Sequence, residues 1–320
     1  MKTKKNNHLL PRMVIKRWKE NNGKIYDKEK NKIRNVIESD YSKEYYYSLG
    51  KVDDKLENRI SFFEAYIANI LEKLNKSTDS FEISKKDLEI LKLYVVLQSC
   101  RNNNTSSYIT ADESGMYQNN NYLFGVPLIN TQEEAVELTS SICSEFERIK
   151  KGNTDTRVNC VPLKENLNLL SYCYGLHLVI VGNDNDEFLI SETTAVIECT
   201  MDGDYLFTYV PISPKRGLIL AKSKYFYTKK DIEDSKKRLG FKYGPTPDPY
   251  LSVILNDEKL IFNGIPNKDT IILSIVKLDP PEIITLNSVI YQDGQLILFS
   301  NEDALNRSKV INPSRKIVMN

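Results

Sequence analysis

Apolar positions in this chain keep a helical spacing through the first half and an alternating one through much of the second. Met13, Val14, Arg17 and Trp18 share one helical face, and Pro11 stands where a first turn begins. Two short runs, Lys24 to Asp27 and Ile33 to Ile37, flank the charged stretch Lys28 to Lys32 and predict a hairpin. Helical spacing then returns. Asp53 and Asp54 offer a helix start, followed by Leu56, Ile60, Phe63, Ile67, Ile70, Leu71 and Leu74. A second long helix starts at Ser84, whose hydroxyl can cap it, with Asp87 at the third position. Leu88, Leu91 and the run Leu93 to Leu97 make it apolar nearly all round, the mark of an interior helix, and it ends on Gln98 and Arg101. Thr131 to Lys151, with Ala135, Leu138, Ile142, Phe146 and Ile149, predicts a third helix after a polar, loop-rich stretch over 102–130.

From about residue 158 the period becomes strand-like. Tyr172 to Val181 and Phe188 to Ile190, joined by Gly182-Asn183-Asp184-Asn185-Asp186, predict a hairpin. Tyr205 to Val210 and Leu218 to Ala221 are two more strands. The intervening Pro211-Ile212-Ser213-Pro214 predicts an extended link that does not pair centrally, because proline lacks the amide proton. A short charged helix is expected over Lys229 to Leu239, and Thr270 to Leu278, Glu282 to Gln292 and Gln295 to Ser300 close the sheet or add a helix. The expected fold is α+β: a helical portion at about 8–155 packed on a mostly antiparallel β-sheet from about 156–320.

Composition narrows the chemistry. With 320 residues, 44 basic and 43 acidic, the net charge is +1, so overall charge does not draw the chain to phosphate backbones. Five widely spaced cysteines without a C-x-x-C pair suggest neither a disulfide framework nor a zinc site, and reduced cytoplasmic thiols are expected. No apolar run approaches the ~18 residues of a membrane helix, so no membrane partner is expected. P-loop, G-x-G-x-x-G, H-E-x-x-H and G-x-S-x-G motifs are all absent. His177, inside an apolar strand, is expected to be structural.

Polar residues do stand at element ends. His8 precedes the first helix, Arg17 lies on it, and Glu57 and Glu64 sit two turns apart on the next, about 10 Å along its axis. Gln98 and Arg101 leave the apolar helix together, and Ser191-Glu192-Thr193-Thr194 follows the apolar run Phe188 to Ile190. Arginines bind phosphate through paired N–H groups, carboxylates hold divalent cations or activate water, and imidazole transfers protons.

The order of these pieces resembles the DUF4238 family, a domain of unknown function. The family's His, Pro and helix with Arg before an aromatic are matched by His8, Pro11, Arg17 and Trp18. Its Tyr followed by a helix with two acids is matched by Tyr47, Glu57 and Glu64, and its apolar helix ending in Gln and Arg by Gln98 and Arg101. Its Phe-Ile-Thr-Ser-Asp-x-Pro and later Pro-Leu-Ser-Pro are matched by Phe188 to Thr194 and Pro211 to Pro214, with Glu192 in place of Asp and Thr194 in place of Pro. The resemblance covers residues 8–221 and implies one domain over 1–320.

Two functional readings stand at this point. In the first, the chain is a metal-dependent phosphoester hydrolase, a nuclease-type effector of bacterial defence or toxin systems acting on nucleic acid or a nucleotide-like ligand. His8, Glu57, Glu64 and Glu192 are then catalytic, with Glu57, Glu64 and Glu192 on a divalent cation such as Mg2+ or Mn2+, and Arg17, Gln98, Arg101 and Ser191 bind substrate. In the second, it is a non-enzymatic sensor or interaction module whose polar cluster is structural.

Overall fold

The computed structural model describes residues 6–37, 39–44, 46–48, 55–78, 80–101, 122–123, 126–127, 132–152, 174–199, 205–222 and 270–309. The expected helix at Lys229 to Leu239, and most of the polar stretch at 102–130, lie outside these residues. Strand β1 (Asn6–His8) pairs with β4 (Ser42–Glu44), and helix α1 (Arg12–Lys19) follows β1 directly. Helix α1 ends tightly. Asn22 takes a left-handed φ of 60°, and Gly23 N–H donates to the Trp18 carbonyl at 2.8 Å, where a Cβ would lie 2.6 Å from that oxygen. Strands β2 (Lys24–Asp27) and β3 (Lys32–Asn35) form the expected hairpin.

Two long helices come next: α2 (Lys55–Lys76) and, after the short strand β5 (Ser80–Ser84), α3 (Lys85–Cys100). Ser84 caps α3 as its sequence predicts, its hydroxyl accepting from Asp87 N–H at 3.0 Å. Two-residue strands β6 (Tyr122–Leu123) and β7 (Val126–Pro127) pair with one another, and α4 (Gln132–Lys150) follows. The second half supplies β8 (Tyr174–Val181), β9 (Val196–Cys199), β10 (Tyr205–Ser213), β11 (Arg216–Lys222), β12 (Thr270–Leu278), α5 (Pro280–Asp293), β13 (Leu296–Phe299) and α6 (Glu302–Ser308).

The fold is α+β. Its main sheet has the order β5-β12-β8-β11-β10-β9, antiparallel throughout except where β12 runs parallel to β8. Alternation along the strands gives the sheet two apolar faces. Leu176, Leu178, Leu218, Leu220 and Leu273 pack on α2, α3 and α4, whereas Val179, Ile219, Val276 and Leu278 pack on α5 and β13. Helix α3 is apolar all round because it is enclosed between its neighbouring helices and the sheet. Helices are not confined to the first half: α5 and α6 close the chain, and β5 from the first half forms a sheet edge.

Two local expectations are corrected. Phe188 to Ile190 does not pair with β8, whose neighbours are β11 and β12. Instead Phe188 N–H donates to the Pro214 carbonyl, Leu189 N–H to Asn287 Oδ1, and Ile190 bridges Leu298. A turn-like sequence marks a reversal but not the partner. Pro211, for its part, lies within β10 opposite Gly217, with an irregularity in register before Ser213. It is tolerated because the ladder to β9 ends at Tyr209, so its missing N–H falls at a local edge. His177 is buried in β8 as expected, and burial depresses its pKa to about 4, which keeps it neutral. Among the described residues, no helix is long and apolar enough to cross a membrane.

Candidate functional site

A cleft of about 550 Å³ opens where the β1–α1 junction meets α2 and the C-terminal end of α3. Its polar wall consists of His8, Arg12, Glu57, Ser61, Glu64 and Arg101, with Met13, Ile60, Ala65 and Ala68 as the apolar part. The geometry follows from helix spacing. Glu57, Ser61, Glu64, Ala65 and Ala68 occupy one stripe of α2, and the small alanines leave the hollow open.

His8 and Arg12 lie four residues apart across the start of α1. The Arg12 Nε–H donates to His8 Nε2 at 2.8 Å. A guanidinium only donates, so Nε2 is the acceptor nitrogen here and the ring proton is assigned to Nδ1. The imidazole lone pair thus holds Arg12 at the cleft wall.

Arg101 caps the C-terminus of α3 and is buried to 1% exposure, yet it meets the cleft. Its Nη2 lies 2.5 Å from Glu64 Oε1. Burial opposes its charge, but Glu64, Tyr47 and Tyr94 outweigh it and hold the guanidinium above the usual arginine range. Nε and Nη1 of Arg101 have no hydrogen-bond partner among the described residues. Glu57 lies buried in the first turn of α2, where the positive end of the helix dipole favours a carboxylate. Tyr47 lies close enough for its hydroxyl to be perturbed. Burial raises its pKa, Arg101 opposes the rise, and Glu57 and Glu64 add to it.

Four of the eight sequence-predicted residues, His8, Glu57, Glu64 and Arg101, therefore share one cleft. The other four are outside its wall. Arg17 is buried on α1, 3.9 Å from the exposed carboxylate of Glu72, and burial lowers its pKa. Gln98 is buried on α3, its carbonyl accepting from Thr194 Oγ1 at 2.6 Å while both side-chain polar atoms lack partners among the described residues.

Ser191 is turned inward. Its Oγ accepts from Thr193 N–H at 3.1 Å and lies 3.3 Å from the Thr193 carbonyl. Glu192 accepts from the amides of Gln295 and Leu296 at 2.5 and 3.0 Å, clamping the loop between α5 and β13. Glu192 thus stands outside the cleft wall that holds Glu57 and Glu64, with both of its oxygens on the backbone of that loop. Among the described residues no group of three His, Cys, Asp or Glu side chains is arranged to hold a metal ion.

Sequence reasoning missed Arg12, although its four-residue spacing from His8 across a helix start was a usable signal. It also read Tyr94 as part of an apolar face; its hydroxyl is fully buried and lacks a partner among the described residues. A family model described as a protein of unknown function, DUF4238, matches residues 6–304. No curated protein and no solved structure matches the chain.

Proposed function

This chain belongs to the DUF4238 family, and from that premise we propose that the cleft binds a phosphate-bearing ligand and hydrolyses its phosphoester bond. The observation that carries the reading is Arg101: a guanidinium kept charged without solvent, at the edge of an open cleft, with Nε and Nη1 unpartnered among the described residues. A buried cation with spare donors is suited to an anionic oxygen, which it meets without first shedding water. Phosphate oxygens rest on Arg101 and Arg12. Glu57 takes a proton from the attacking water as its oxygen bonds to phosphorus. The ester P–O bond then breaks, and the departing oxygen takes that proton.

His8 positions Arg12, and Glu64 positions Arg101. A divalent cation such as Mg2+ or Mn2+, if one binds, would be held through Glu57, since Glu64 is engaged by Arg101 and Glu192 lies outside the cleft wall, and would supply charge to neutralise the phosphate and acidify the attacking water. The nuclease-type effector of defence or toxin systems, acting in the cytoplasm on nucleic acid or a nucleotide-like ligand, is the narrower form of the same proposal.

The test is hydrolysis of a chromogenic phosphomonoester, a phosphodiester and a single-stranded oligonucleotide, with Mg2+, Mn2+ or chelator. Glu57→Gln should lower the rate by about 10²-fold or more, the size of a lost acid–base group, with an unchanged melting temperature. Absence of hydrolysis in every arm, or a Glu57→Gln variant as active as wild type, overturns the hydrolase. A second reading, a binding module without chemistry, is favoured by the pairing of Glu64 with Arg101 and of His8 with Arg12. It predicts phosphate binding by the intact protein with no turnover.

A further inference from the structure

The cleft is larger than the anion that Arg101 is suited to. Its volume of about 550 Å³ lies within the range of roughly 300–1,000 Å³ that holds a small organic molecule, so a phosphate group alone would leave most of it unfilled. Helix α2 shows what surrounds the remainder. Glu64 marks the place of the Arg101 guanidinium, because the two side chains are in contact. Glu57 stands about 10 Å along the helix axis from Glu64 in one direction, and Ala68 stands about 6 Å from it in the other.

The wall changes character between those two ends. On the Glu57 side the cleft meets a carboxylate and the Ser61 hydroxyl, and Ile60 is only 2% exposed and offers little apolar surface. On the other side it meets Ala65 and Ala68. Arg17 of α1 lies 3.9 Å from Glu72 of α2. Met13 and Ala68 each stand four residues before that contact, one turn back on the same faces, and both line the cleft, so Met13 faces the alanines across it. Met13 also packs on two core clusters, which hold it there.

Ala65 is exposed and Ala68 half-buried, so neither methyl is needed to fill the core. Small residues on a helix face do not make a site by themselves. Here they adjoin a guanidinium that is 1% exposed, lines the same cleft, and keeps Nε and Nη1 without partners among the described residues.

We infer that the end of the cleft formed by Met13, Ala65 and Ala68 receives the organic part of the ligand, which is a phosphomonoester carrying one apolar body beside its phosphate. This deepens the reading of the cleft as a phosphate site and rests on it. One end is apolar and the other acidic, so the phosphate takes one apolar substituent and leaves the Glu57 side to water. Leaving water for methyl and thioether surface favours such a body, and the thioether adapts well to a ring. Free phosphate gains nothing there.

Calorimetric titration of the full-length protein with methylphosphonate and phenylphosphonate at fixed ionic strength tests the inference. Both carry a phosphate-like head on a P–C bond, which is not an ester, and they differ in the body alone. Wild type should bind phenylphosphonate at least about tenfold more tightly, the effect of taking one face of the ring out of water. Ala68→Gln, a good helix former that covers this wall with a polar chain, should abolish that preference at an unchanged melting temperature. Ala65→Gln, at an exposed position, should do the same and serves where Ala68→Gln disturbs folding.

Equal affinity for the two phosphonates in wild type overturns the apolar end and spares the phosphate reading, since both heads still bind. A preference for phenylphosphonate that survives both substitutions also overturns it, because the ring then lies elsewhere. Failure of both phosphonates to bind overturns the inference and the phosphate reading together.

Discussion

Replacing Glu64 with Gln puts the central ion pair to the test. Glu64 lies 2.5 Å from Arg101, whose side chain is wholly buried, while the Glu64 side chain is 21% exposed. Removing one partner of a buried pair typically costs about 3–5 kcal/mol, because the remaining charge stays desolvated without compensation. The partial exposure of Glu64 lets water screen part of that loss, so we expect about 2–3 kcal/mol. At about 2.1 cal/mol/K of unfolding entropy per residue, a 320-residue chain shifts by about 1.5 °C per kcal/mol, so the melting temperature should fall by roughly 3–5 °C.

The same variant separates the readings of the site. If Arg101 is an anion anchor, phosphate can take the place of the lost carboxylate, and saturating phosphate, at about one hundred times its Kd, returns about 2.7 kcal/mol. Differential scanning fluorimetry across a phosphate series, with matched chloride, measures both effects. A variant that melts within about 1 °C of wild type would refute the energetic role assigned to the pair. One that melts low and gains no more from phosphate than wild type would refute the anchor.

Other perturbations have defined outcomes. Glu192→Ala removes the acceptor for the Gln295 and Leu296 amides and should cost about 1–3 kcal/mol in a denaturant melt while the phosphate-induced shift of the cleft persists. Gly294→Ala would place a Cβ 2.4 Å from Ser191 Cβ and 2.6 Å from its Oγ, so the variant should melt well below wild type; an unchanged melt would show that the turn adapts freely. Burial raises the Asp293 carboxyl to about 7, against the opposing pull of Lys28. Since the folded state holds that proton more tightly than the unfolded chain, its stabilising contribution is present below about pH 4 and is lost as pH rises through about 7. Asp293→Asn should therefore gain on wild type progressively between those values, and parallel stability curves would contradict the assignment.

Local signals in the sequence were read well where neighbours in the chain decide the outcome. Ser84 with Asp87 marks the start of α3, Pro11 precedes α1, and the Lys28 to Lys32 stretch turns β2 into β3, all within a few residues. Pairing between distant segments was not legible. Nothing in Gly182 to Asp186 says that β8 pairs with a strand about 40 residues on and with another about 100 residues on.

The site divides in the same way. His8, Glu57, Glu64 and Arg101 converge because the β1–α1 junction and the C-terminal end of α3 both meet one stripe of α2. The Ser191-Glu192 step has the composition of a strand-end site, but its groups are consumed by the amides of a neighbouring loop. Composition alone cannot tell a carboxylate facing a cleft from one holding a turn. Arg12 illustrates the reverse case, an exposed residue of a first helical turn that matters because His8 lies under it.

The place of β12 in the main sheet, between β5 and β8, bears on how the chain assembles. Among the described residues, strand β12 is what joins β5 to the strands β8 to β11, and it enters the sequence after residue 269. Until it emerges during synthesis, the edge made by Ser80–Ser84 has no seat, and the helices on either side of that edge, which carry Glu64 and Arg101, lack their final anchorage. Closure over so long a separation is entropically slow, so the nascent chain should remain sensitive to protease at the α2–α3 junction until late in translation.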